Sequence, residues 1–144
     1  MEQMLVSIVA TLMTIVAITC LLIAAGKKKY LLKIIRFIHA EVSTGKYIAI
    51  GETGLDFTGI KLLKQQKISF EHHIDVALSK DLPICIHCRD SFAEIIDSLK
   101  KFKGKKLRGV VHAFSLYPEN AKQYLEYGDF YFGLGGVITY KNAV

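Results

Sequence analysis

Three residues in this chain carry donor chemistry at a regular spacing: Glu52, His87 and His112. Each follows a short apolar run that reads as a strand, and each comes one strand-and-helix unit after the last. In a parallel α/β barrel the strand ends face one shared site, and neighbouring parallel strands lie about 4.8 Å apart. A carboxylate and two imidazoles brought together there suit a divalent cation such as zinc, manganese or magnesium. Such an ion lowers the pKa of bound water and supplies a nucleophile near neutral pH. Taken singly, each of the three is an ordinary polar strand end. Three in successive units point to one site.

The elements that must position them alternate. Tyr47 to Gly51 reads as a first strand ending at Glu52. A helix follows over about residues 62–79, with Phe70, Ile74, Ala77 and Leu78 on one face. Leu82 to Ile86 reads as a second strand ending at His87, and Phe92 to Phe102 as a helix burying Ile95, Ile96 and Leu99. Leu107 to Val111 reads as a third strand ending at His112. Pro118 to Tyr127 reads as a third helix, and a fourth strand starts at Phe130. Strands alternating with helices predict right-handed βαβ units and a parallel sheet.

The bulk properties bound what this can be. The chain has 144 residues, enough for one domain and too few for a complete eight-stranded barrel. Its formal charge of +6 suits an anionic partner without requiring one. Three cysteines, Cys20, Cys85 and Cys88, make no disulfide framework and fit a reducing compartment. Cys85 and Cys88 have the spacing of a zinc knuckle, but no second Cys/His pair follows at finger spacing.

Residues 4–25 are free of charge and are followed at once by Lys27, Lys28 and Lys29. As a helix this run would be roughly 33 Å long, the thickness of a bilayer core. It therefore reads as a membrane-inserting segment over residues 1–29, with the rest of the chain on the cytoplasmic side. Residues 30–144 form the α/β body. It opens with an amphipathic helix whose apolar stripe is Leu31, Ile34, Ile35 and Ile38. His39, near the end of that helix, reads as a solvated or capping histidine.

Three further features have milder readings. His72 and His73 are adjacent on a helix, point about 100° apart and cannot chelate together, so they read as a surface pair. The basic stretch from Lys100 to Arg108 reads as a solvated helix end rather than a phosphate grip. Gly133, Gly135 and Gly136 lack the helix and the GK[ST] of a phosphate loop and read as a tight strand end.

Four stretches, in order, resemble the successive signatures of the TatD-type metal-dependent deoxyribonucleases. They are IGETGLDF from Ile50, PICIHCRDS from Pro83, VVHAFSLYPENA from Val110 and GLGGVITYKNA from Gly133. The helix beginning at Gln66 is similar to the family's Q-x-x-x-F helix. The resemblance implies a (β/α)8 barrel of TIM type, of which about half the strands are here, and divalent metal ions (Mg, Mn or Zn) held at the strand ends. It implies DNA as substrate and hydrolysis of its phosphodiester bonds. Glu52, His87 and His112 would be metal ligands and catalytic residues, while Arg89 and Ser115 would meet the substrate. Asp56 and Asp90 would orient loops or support the ligands. The family's opening H-x-H strand and its late Asp-bearing strand have no counterpart in this chain. That departure motivates the alternative of an inactive, membrane-tethered remnant or interaction fragment. An amidohydrolase acting on C–N bonds is the third expectation, and the GETGLD and HAFS stretches argue against it.

Overall fold

The computed structural model describes residues 33, 36–38, 40–58 and 63–141. The apolar run at 4–25, with Leu31, Ile34, Ile35 and His39, lies outside the described residues. Among the described residues no helix is long and apolar enough to cross a membrane. Ile38, the described member of the amphipathic stripe, is buried in the core.

The body is a four-stranded parallel sheet in the order β1-β2-β3-β4, with β1 at Ile50–Asp56, β2 at Ile84–Arg89, β3 at Arg108–Val111 and β4 at Asp129–Phe132. Helices connect the strands: α1 at Leu63–Ser79, α2 at Phe92–Lys100 and α3 at Pro118–Leu125. This is half the strand count of an eight-stranded barrel.

Alternation along the strands decides which side chains face the helices. On β2, Ile84 and Ile86 are buried while Cys85 and His87 look the other way. On β1 the pairing register shifts between Ile50 and Thr53. That irregularity changes the phase of the strand by one residue. Ile50, Thr53 and Leu55 are therefore all buried, while Glu52 and Asp56 alternate with the buried pair Thr53 and Leu55. The bulge is what puts Glu52 on the same face as His87.

The core fills the side of the sheet that carries the helices. Phe70, Ile74, Val76 and Ala77 of α1 pack with Leu55, Ile86, Ile95 and Leu99. Under α3, Tyr124 is the hub of an aromatic cluster, with edge contacts to Phe92 at 5.6 Å and to Phe130 and Phe132 at 6.0 Å. Such edge-on pairs add roughly 0.5–1.5 kcal/mol each beyond their burial. Strands β2 and β3 approach closely because Gly109 has no side chain; a Cβ there would stand 1.9 Å from the Ile84 carbonyl oxygen.

Several expectations change. Strand β1 continues to Asp56 and β2 to Arg89, because their parallel ladder runs on through Asp56 opposite Arg89. Glu52 thus lies within a strand rather than at its end. The fourth strand begins at Asp129 rather than Phe130, and after it Gly136–Thr139 forms a 3-10 helix. His73 is not a surface residue. It is 1% exposed, because α1 packs against β1 on the face that carries it. The basic stretch keeps its expected exposure, at the opposite end of the sheet from His87, where Lys101 pairs with Glu71 at 2.7 Å and Lys103 sits 5.6 Å over the Tyr127 ring.

Candidate metal centre

Glu52, His87 and His112 stand on three neighbouring strand units, with Glu52 beside both histidines. Oε1 of Glu52 lies 3.1 Å from Nδ1 of His87 and 3.9 Å from Nε2 of His112. The carboxylate is the shared neighbour of both imidazoles. The side chain of Glu52 is 22% exposed, whereas that of His112 is 57% exposed. His112 follows β3 directly, and its main-chain N–H donates to the Ile86 carbonyl at 2.8 Å.

Asp56 completes the cluster. Its Oδ2 is 3.2 Å from Nε2 of His87, so the two ring nitrogens of His87 each face a carboxylate. Burial alone would raise the Asp56 carboxyl. Hydrogen bonds from the hydroxyl and main-chain N–H of Thr58, and from His87, outweigh burial and hold it below the usual carboxylate range. Cys85 looks onto the same face from below. Burial, helped by the Glu52 charge, pushes its thiol up to about 11, so it remains a protonated, unreactive group at neutral pH.

Arg89 ends β2 and is exposed, as is Ser115 in the loop after β3. Arg89 pairs with Asp56 across the β1–β2 ladder, and both Arg89 and Ser115 stand on elements that continue from the histidines. The chain turns away after each donor strand through a left-handed residue, Asp90 after β2 and Ala113 after β3. Ser91 then ties the first turn down, its buried hydroxyl donating to the Leu55 carbonyl at 2.7 Å.

The donor kinds fit a divalent cation: one hard carboxylate and two borderline imidazoles. Among the described residues, no three His, Cys, Asp or Glu side chains form a ready cage as they stand. A cavity of about 730 Å³ lies elsewhere. It is lined by Ala49, Pro83, Cys85, Arg108, Val110 and Tyr131, among others, toward the starts of the strands, and includes none of the three donors.

Two supports were not read from the sequence. The buried Gln66 side chain brackets the main chain of Asp56, and Nδ1 of His73 lies 3.0 Å from the Thr53 hydroxyl. Gln66 was visible only as part of a helix pattern, and the depth of His73 had no local signal.

Comparison with known proteins places the chain among relatives. The family model described as "TatD related DNase" matches residues 11–144. An "Uncharacterized metal-dependent hydrolase" of Buchnera aphidicola subsp. Baizongia pistaciae is 35% identical over 117 residues, covering 81% of this chain and 42% of that protein. The "Deoxyribonuclease Tat-D" of Schizosaccharomyces pombe is 30% identical over 114 residues, covering 77% of this chain and 36% of that protein. The crystal structure of YjjV, a TatD homologue from Escherichia coli, superposes with a TM-score of 0.67 at 27% identity, covering 81% of this chain and 44% of that one. The chain thus spans less than half the length of these relatives.

Proposed function

The chain belongs to the TatD related DNase family, and from that premise we propose that Glu52, His87 and His112 form the divalent-metal part of a phosphodiesterase site acting on DNA. The observation that carries this reading is the single carboxylate oxygen of Glu52 standing 3.1 Å and 3.9 Å from imidazoles of two other strand units. A carboxylate with two imidazoles leaves coordination positions for water and a phosphate oxygen. A divalent ion held there would activate water and stabilise charge developing at phosphorus.

The chain's own residues do the rest. Glu52 supplies the negative charge that draws the cation in. Asp56, accepting from His87, fixes the plane of that ring and leaves the Nδ1 side turned toward Glu52. Arg89, exposed at the end of β2, offers a planar guanidinium that matches a phosphate group with two parallel hydrogen bonds. Ser115, exposed in the loop after His112, is placed to add a hydroxyl contact to the substrate backbone.

The test is cleavage of a labelled single-stranded oligonucleotide by the purified chain with Mg²⁺, Mn²⁺ or Zn²⁺, and with chelator. Divalent-dependent cleavage that is lost in Glu52→Ala supports the reading. Cation binding with no cleavage would leave a metal-holding relative without turnover, and no binding at all would overturn the site.

A further inference from the structure

Helix α1 grips β1 through two polar contacts, one on each side of the strand's last turn of register. Gln66, 9% exposed, accepts from the Asp56 N–H at 2.9 Å and donates to the Asp56 carbonyl at 3.0 Å. One side-chain amide thus supplies the donor and the acceptor that a neighbouring strand would have given that residue. Seven positions along the same helix, His73 meets the hydroxyl of Thr53, the residue next to Glu52.

The Gln66 clasp fixes the main chain of the one residue whose carboxylate touches Nε2 of His87. Asp56 ends β1 and pairs with Arg89 of β2 on one side; its other side, at the edge of the sheet, carries no strand among the described residues and is held by the helix. Its carboxylate then fixes the orientation of the His87 ring at 3.2 Å. Both main-chain groups of Asp56 need a partner, and here a single side chain serves both. A two-point clasp removes both translation and rotation of the peptide.

We propose that Gln66 is a positioning residue for the metal centre: through Asp56 it sets the ring of His87, and with it the affinity of the cluster for a divalent cation. The proposal rests on reading the cluster as a metal centre.

Three measurements on the purified chain test it: Mn²⁺ binding with the metal alone, the ¹⁵N chemical shifts of the His87 ring without metal, and thermal melting. Gln66→Met keeps the length and bulk of the side chain and removes both hydrogen bonds. It is expected to weaken Mn²⁺ binding about tenfold or more and to move the His87 ring nitrogen signals, with a cooperative melt retained. Gln66→Glu keeps the acceptor for the Asp56 N–H and loses the donor, and should fall between. A folded Gln66→Met with unchanged Mn²⁺ affinity and unchanged His87 signals overturns the proposal. Should Gln66→Met not fold, Asp56→Ala keeps the clasp on the main chain and removes the relay. Unaltered Mn²⁺ affinity and His87 signals in Asp56→Ala would equally overturn it. If the unmodified chain binds no Mn²⁺, the metal-centre reading fails, while the ring signals still decide whether Gln66 sets His87.

Discussion

Oε1 of Glu52 and Nδ1 of His87 stand 3.1 Å apart across two adjacent parallel strands, a contact that the register shift in β1 makes possible. Glu52 also neighbours His112, so its carboxylate is the point at which the three strand units meet. On the proposed metal-centre reading, replacing it with the isosteric, uncharged Gln should lower divalent-cation affinity by about 100-fold or more, since a ligand rather than its outer support would be changed. Titration with Mn²⁺ reads this directly. Wild-type affinity in Glu52→Gln would remove the residue from the centre.

His112 offers a cleaner separation of function from folding. Its side chain is 57% exposed and lies outside the core, so His112→Ala should change stability by no more than about 0.5 kcal/mol. Cleavage of the labelled oligonucleotide should nevertheless fall by about 100-fold or more. An unchanged rate with an unchanged melt would show that this imidazole does not serve the reaction.

The buried His73 predicts a pH dependence of stability. Burial, with the nearby His72 adding to it and the Ser69 main-chain contact opposing it, lowers its pKa from 6.5 to about 4. The unfolded chain therefore binds a proton between those two values that the folded chain excludes. Stability from this group is full above pH 6.5 and is lost as the pH falls toward about 4. At roughly 1.4 kcal/mol per unit, the loss is on the order of 3 kcal/mol. Denaturant melts from pH 7 to pH 4 should show that slope in the wild type and a shallower one in His73→Leu. Parallel slopes in the two proteins would exclude His73 as its source.

The alternation of strands and helices was legible because each element is long enough to show its own period, and the donors were legible because their chemical types stand out at strand ends. The exact reach of the strands was not. Glu52 looked terminal because Gly54 and Asp56 are poor strand formers by composition. The ladder to β2 overrides that preference, pairing Gly54 with His87 and Asp56 with Arg89. His73 looked like half of a surface pair because adjacency on a helix gives two directions but not which one is inward. Only the packing of α1 on β1 decides it. The role of Gln66 likewise depends on a partner ten residues away whose main chain no side-chain pattern announces.

Gly54 tests how much of the site depends on close strand approach. A Cβ placed there would stand 1.8 Å from the His87 carbonyl oxygen, on a backbone with φ of +154°. Backbone cannot yield as a side-chain tip can, so β1 would have to move away from β2 just where Glu52 faces His87. Gly54→Ala should therefore cost several kcal/mol, above the roughly 1–3 kcal/mol typical of overpacking, and should weaken Mn²⁺ binding in whatever fraction stays folded. Gly45 supplies the control. It too has a positive φ, +71°, but nothing lies within 4 Å of its added Cβ. Gly45→Ala should cost only the local backbone strain, about 1 kcal/mol, and leave Mn²⁺ affinity alone. Equal losses from the two substitutions would mean that φ strain, not the approach of β1 to β2, is what the glycine in the GETG stretch provides.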